Sequence, residues 1–317
     1  MGEIIEVKDL VKRYRKAKEN AVDHISFDVG EGEFFAFLGP NGAGKTTTIS
    51  ILTTTLAKTS GEVRIAGYDL DRQASRVRQS IGVIFQNPSL DQNLTAEENL
   101  RFHCVLYGLY PFAPTYGLMR EGYKRKVSQL SKVLGIENDL NKPIKSFSGG
   151  MKRKLEIIRS LMHNPKVLFL DEPTSGLDPA SRKSLWEYLR QVREGERTTI
   201  FLTTHYLEEA EEADRVAIID KGKIVSLGTP EQIKKKLIKS YLLIGSRETR
   251  KLESELNKLK TKYTKLNGKY RVDFARPAEV QKLVSKIKTS LNYLNIHNPT
   301  LEEAYLDIIT KENNASH

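Results

Sequence analysis

A single cysteine, Cys104, occurs in 317 residues, so no intrachain disulfide can form, and a reducing cytosol is the simplest compartment. Standing alone, that thiol reads as a small buried hydrophobe. No stretch approaches the roughly 18 apolar residues needed to cross a bilayer. The N-terminus, MGEIIEVKDL, lacks the basic-then-apolar order of a secretion signal. The expectation is therefore a chain that is neither secreted nor membrane-spanning. No sustained heptad runs between Lys45 and Ser148, which excludes a long coiled-coil insertion there. The net charge of +11 comes without an aromatic-interleaved platform or a base-reading helix, so no nucleic-acid partner is expected. From Glu231 onward, 18 lysines and arginines face 10 acids, which places +8 of the excess in the tail. Its short cluster Lys234, Lys235 and Lys236 reads as a solvated face, the alternative being a weak attraction to an anionic membrane surface.

What is present is the composition of an ordinary globular protein, 39% hydrophobic and 29% charged, at a length suited to two domains. The most informative stretch is FFAFLGPNGAGKTTT, Phe34–Thr48, where an apolar run stops at a glycine-rich turn ending in Lys-Thr-Thr. Gly39, Gly44, Lys45 and Thr46 fit G-x-x-x-x-G-K-[ST], whose glycines let consecutive N–H groups wrap a triphosphate. Lys45 would reach the β- and γ-phosphates, and the Thr46 hydroxyl would ligate Mg²⁺. A helix over Thr46–Leu56 would aim its positive end at the anion, and Phe34–Leu38 fits a buried parallel strand.

Before this loop, Ile4, Ile5 and Val7, then Val22, Ile25, Phe27 and Val29, then Phe34–Leu38, read as three strands opening a sheet in antiparallel fashion, with Gly30 and Gly32 in the last turn. Tyr14, in the polar stretch KRYRKAKEN, either stacks on a base or packs locally. Beyond the loop, the sequence predicts a strand at Val63 and Ile65, a helix over Arg72–Ser80, and a strand Ile81–Gln86 closed by Asn87-Pro88. Gln86, at the carboxyl end of that strand, is placed to face the phosphate loop. Thr95 and Glu98 match a capping box opening a helix. The segment Tyr107–Tyr123 reads as a loop whose aromatics form either a contact surface or a local cluster, and a helix over Lys124–Leu134 stops at Gly135.

The densest stretch is Ser146–Asp178. SFSGGMKRKLEIIRSL is a Ser-Gly-Gly turn leading into an amphipathic helix, a second anion-binding end. The run Val167–Leu170 then ends in adjacent carboxylates, Asp171 and Glu172, at the tip of a buried strand. In P-loop enzymes an Asp here holds Mg²⁺ and the next carboxylate polarises the attacking water. Two more strands, Thr199–Thr203 and Arg215–Asp220, flank an acidic helix. His205, at the end of the first, either contacts phosphate and water or caps that helix.

These residues in this order resemble the ATP-binding subunits of ABC transporters over residues 1–230: the loop GPNGAGKTTT, Gln86 after a strand, the signature turn FSGGM at Phe147–Met151, VLFLDE at Val167–Glu172, SGLD at Ser175–Asp178, and His205. Phe147 stands where the family most often has Leu, and Met151 where many members have Gln. The resemblance implies an α/β P-loop cassette, a mixed sheet with an antiparallel β subdomain and a helical subdomain at about 87–160. It implies that two copies face head to tail, the ATP on Gly39, Pro40, Asn41, Gly42, Ala43, Gly44, Lys45, Thr46 and Thr47 of one being closed by Ser148, Gly149 and Gly150 of the other. Tyr14 would stack on adenine, while Thr46 and Gln86 would ligate Mg²⁺ supported by Asp171. Glu172 and His205 would be catalytic, and Asp178 would communicate across the dimer.

After Pro230 the composition changes, and residues 231–317 read as a small α+β domain of the β-α-β-β-α-β kind. Its elements are a strand Tyr241–Gly245, a helix Lys251–Lys260, a hairpin turning at Asn267-Gly268, a helix Ala278–Thr289 and a strand Leu294–His297. The closing NPTLEEAYLDII, with Thr300 as cap and Glu303 behind it, resembles the subfamily that powers ABC-2-type exporters. The expectation is an ATPase motor on the cytoplasmic face of the membrane, serving a separate permease and exporting rather than importing. The competing readings are an ABC-type ATPase acting on nucleic acid or ribosomes and a small-acceptor P-loop kinase, which the signature turn disfavours.

Overall fold

The computed structural model describes residues 2–86, 89–237, 240–274, 276–298 and 300–315. The turn expected at Asn87-Pro88 lies outside them. Contacts divide the chain into two units, Met1–Leu227 and Gly228–His317.

In chain order the first unit opens with β1 (Glu3–Lys12), β2 (Val22–Gly30), β3 (Phe34–Leu38), α1 (Lys45–Leu52), β4 (Ser60–Ile65), β5 (Tyr68–Asp69), α2 (Ala74–Ser80) and β6 (Ile81–Ile84). A helical stretch follows, α3 (Ala96–Leu106), α4 (Glu121–Leu134) and α5 (Gly149–Leu161), with 3₁₀ turns between them. The chain then returns to strands with β7 (Val167–Asp171), α6 (Pro179–Glu196), β8 (Thr199–Thr204), α7 (Leu207–Glu211), β9 (Arg215–Asp220) and β10 (Lys223–Gly228).

Two sheets form. One has the order β2-β1-β4-β5 with antiparallel pairings, and the other the order β10-β9-β3-β8-β7-β6, parallel from β9 to β6. The parallel strands are apolar on every residue because both faces are covered, as β3 and β7 illustrate. The sheets meet through aromatic rings. Phe27 of β2 lies 5.6 Å from both Phe35 and Phe37 of β3, and Phe201 of β8 joins the same cluster.

The antiparallel opening therefore stops after two strands: β3 leaves that sheet and pairs in parallel with β8 and β9. Alternation fixes which residues face inward but not which sheet a fully buried strand joins. The helix after the phosphate loop ends at Leu52, four residues short of Leu56, because Thr53 and Thr55 turn their hydroxyls onto the carbonyls of Ile49 and Ser50 and Thr54 takes φ 62°. The strand before Gln86 ends at Ile84, two residues short. α3 opens on the full capping box, and Gly135 ends α4 at φ 65°.

The second unit has α8 (Pro230–Leu237), β11 (Tyr241–Gly245), α9 (Thr249–Lys258), β12 (Thr264–Leu266), β13 (Lys269–Asp273), α10 (Pro277–Val284), β14 (Tyr293–His297) and α11 (Leu301–Ala315). Its antiparallel sheet has the order β12-β13-β11-β14. One face, through Leu242, Ile244, Tyr270 and Val272, packs on Leu252 and Leu256 of α9 and Val280 of α10. Glu303 accepts from the Thr300 N–H and Thr300 accepts from the Glu303 N–H, closing the expected cap of α11. α10 is shorter than the sequence pattern, stopping at Val284 rather than Thr289.

Candidate functional site

The carboxyl ends of β3, β6, β7 and β8 converge on one cavity of about 510 Å³, lined by Gly42, Lys45, Thr46, Gln86, Glu172 and His205 among others. This is where the strand-to-loop crossings of a parallel sheet leave room for a ligand. The loop between β3 and α1 holds its shape through glycine. A side chain on Gly39 would strike the Ile219 carbonyl, and one on Gly44, at φ 106°, would sit 2.5 Å from the Ala21 carbonyl oxygen. Asn41, Gly42, Gly44, Lys45, Thr46 and Thr47 line the cavity. Ala43 is buried in the core beneath the loop.

Lys45 is 4% exposed, and its ammonium donates to the carbonyls of Gly39 at 2.8 Å and Pro40 at 3.0 Å. Burial holds its pKa below the usual lysine value, partly countered by Glu172, whose Oε1 lies 3.5 Å away. Glu172 is the centre of the cluster. Its Oε2 accepts from the Gln86 amide at 3.3 Å, and its Oε1 stands 3.2 Å from Nδ1 of His205. Its backbone takes φ 45°, a left-handed conformation that is costly away from glycine, and its N–H is tied to both the carbonyl and the hydroxyl of Thr203. His205 does not cap α7, since Tyr206 occupies that position; its ring packs on Tyr206 at 4.0 Å.

Asp171 lies beneath, 2% exposed, accepting from the hydroxyls of Thr203 and, at 3.5 Å, Thr46. Burial raises its pKa above the ordinary aspartate value, and the Thr203 bond works against that. Thr46, Asp171 and Gln86 present only hard oxygen donors, the set Mg²⁺ takes, and the Gln86 amide nitrogen bonded to Glu172 leaves its carbonyl oxygen for a cation. Among the described residues no group of three His, Cys, Asp or Glu side chains forms a self-sufficient metal cage. Nucleotide-bound Mg²⁺ needs none, because phosphates and water complete its octahedron.

The remaining sequence-predicted residues stand apart from this cavity. Tyr14 is half-exposed, with its hydroxyl 3.2 Å from the Thr47 hydroxyl. Ser148 caps α5 by accepting from the Met151 N–H at 3.2 Å, and Gly149 and Gly150 form the first turn. Asp178 caps α6 through the Ser181 N–H at 3.0 Å. Neither the Ser148 turn nor Asp178 lines the cavity of its own chain.

Arg153 escaped the sequence reading. Its side chain, in a Lys-Arg-Lys run that looks like a solvated face, is buried and donates to the carbonyls of Phe85 at 2.6 Å and Pro173 at 2.8 Å. At 3.4 Å it also reaches the carbonyls of Asp171 and Glu172. Glu156 pairs with it at 3.1 Å and accepts from the Ser89 N–H. The helix that begins at the Ser148 turn thus grips both ends of the Gln86 segment. Only the i, i+3 spacing of Arg153 and Glu156 hinted at this.

The ABC transporter family profile matches residues 22–175. The probable multidrug ABC transporter ATP-binding protein YbhF of Escherichia coli is 38% identical over 231 residues, 73% of this chain but only 38% of that protein's length. The linearmycin resistance ATP-binding protein LnrL of Bacillus subtilis is 38% identical over 71% of this chain and 69% of its own. A solved structure described as the dimeric post-hydrolysis state of the ATP-binding cassette MJ0796 bound to ADP and Pi is 25% identical, with TM-score 0.63, over 71% of this chain and 98% of that one.

Proposed function

This chain belongs to the ABC transporter family of ATP-binding proteins, and from that premise we propose that it is the ATP-hydrolysing motor of an exporter, working as a head-to-tail dimer on a separate membrane permease. The observation that carries the reading is the convergence of Lys45, Gln86 and His205 on the Glu172 carboxylate at the mouth of the phosphate loop. Lys45 and the loop N–H groups hold the β- and γ-phosphates, Glu172 takes a proton from the attacking water, and His205 orients that water and the γ-phosphate. Thr46 and Gln86, with Asp171 behind, would hold a Mg²⁺ ion, whose charge would offset that of the phosphates. Tyr14 meets the adenine.

Since the Ser148 turn is absent from the cavity of its own chain, its free N–H groups are available to the triphosphate of a second copy. Closing on ATP and loosening after hydrolysis makes the pair a switch. The dimeric ADP-bound cassette and the relatives named for multidrug transport and linearmycin resistance support this reading over a nucleic-acid or ribosomal role. The permease meets the helical stretch beyond Gln86. Leu106 is 85% exposed and Phe112 62% exposed there, with Phe102 and Tyr107 beside them.

The test is turnover. Purified chain with Mg²⁺ should hydrolyse ATP, and Lys45→Ala should lower kcat by at least about a hundredfold; an undiminished rate would refute the phosphate assignment. The peripheral placement on a membrane partner is tested by co-purification from membranes with a hydrophobic polypeptide.

A further inference from the structure

We propose that Glu209 is a positioning residue for hydrolysis, a buried strut that sets His205 and the Thr174–Asp178 segment in register; the inference rests on the ATPase reading above. Glu209 belongs to LEEAEEAD, an acidic helix that looks solvated in sequence, yet it is 3% exposed. Its two carboxylate oxygens take different hydroxyls. Oε1 accepts from Thr174 Oγ1, and Oε2 accepts from Thr204 Oγ1 at 2.6 Å. Both threonines are fully buried.

Each of these bonds fixes something at the site. The Thr204 hydroxyl, its proton committed to Glu209, accepts the Tyr206 N–H at 2.9 Å, so the residues on both sides of His205 are pinned to one side chain. The Thr204 carbonyl also accepts the Gly39 N–H at 3.3 Å, where the phosphate loop begins. Thr174 opens the turn to Asp178, with the Ser175 N–H on the Glu172 carbonyl at 3.1 Å and the Leu177 N–H on the Thr174 carbonyl at 3.0 Å. One carboxylate therefore joins the segment carrying Glu172 and Asp178 to the one carrying His205, while touching neither the cavity nor any reacting atom. A buried carboxylate is expensive, and apolar packing would hold two loops together at less cost. What an acceptor for two hydroxyls adds is orientation.

The experiment measures steady-state ATPase kinetics and melting temperature for the full chain carrying Glu209→Gln, Thr204→Val, Thr204→Ser and the double substitution E209Q/T204V. The strut predicts that Glu209→Gln and Thr204→Val each lower kcat about tenfold while KM for ATP stays within about twofold. Thr204→Ser should keep wild-type turnover, and the double variant should be no slower than the slower single one, as expected of residues acting through one network. An unchanged kcat in Glu209→Gln, additive losses, or KM rising in step with the fall in kcat would overturn it. If Glu209→Gln does not fold, the Thr204 pair decides alone: serine active and valine impaired supports the strut, and equal turnover in the two overturns it. A wild-type chain without ATPase activity would instead overturn the proposed function.

Discussion

Glu172 sits within reach of an ammonium, an amide and an imidazole at once, and this crowding is what the catalytic role proposed for the residue after Asp171 rests on. Side chains whose placement is set by a local motif were legible. Gly39, Lys45 and Thr46 are defined by spacing, and their geometry follows from a loop too tight for a Cβ. Side chains whose role is set by tertiary contact were not: Arg153 and Glu209 are charged residues in charged stretches, and only folding reveals that they are buried. Cys104 belongs to the legible group. It is buried, and burial together with nearby Glu97 pushes its thiol up to about 12. A maleimide should therefore leave the native chain unlabelled near neutral pH and label it once in denaturant, as read by mass. Rapid native labelling would contradict the packing.

At the scale of elements, capping boxes and apolar periods located most helices and strands, while the end of α1 moved to Leu52, where threonine hydroxyls take helix carbonyls. Sheet membership of β3 was hidden because its residues are buried on both faces. Two predictions belong to this scale. The Thr95 N–H and hydroxyl hold Glu98 below the usual glutamate range. With the folded pKa depressed, the stabilisation is fully present above the unfolded value of about 4.3 and is lost as pH falls through the folded one. Thr95→Ala should cost about 1 kcal/mol near neutral pH, and Glu98→Gln should flatten the acid limb of melting temperature against pH; an unaltered limb would contradict the cap. Arg153→Met takes the nearer cation from buried Glu156, leaving Arg159 at 3.8 Å, and strips the carbonyls of Phe85 and Pro173 of their donor, at a cost of about 3 kcal/mol in denaturant unfolding. A loss below about 1 kcal/mol would mean that the pair behaves like a surface ion pair.

For the whole molecule, the proposed function makes the phosphate loop and the Ser-Gly-Gly turn two halves of one site shared between copies. The loop lines its cavity and the turn does not. The second unit keeps its own sheet and core, so a chain ending at Leu227 should bind ATP within about threefold of the full-length affinity, a shift of less than 1 kcal/mol. The central claim concerns pairing, and the most direct measurement is the mass of Glu172→Gln by light scattering at saturating Mg²⁺-ATP. Removing the carboxylate proposed to take the water's proton should trap the closed state, so the mass should be that of a dimer with ATP and of a monomer without it. A monomer at saturating ATP, in protein shown to bind the nucleotide, would contradict the shared site.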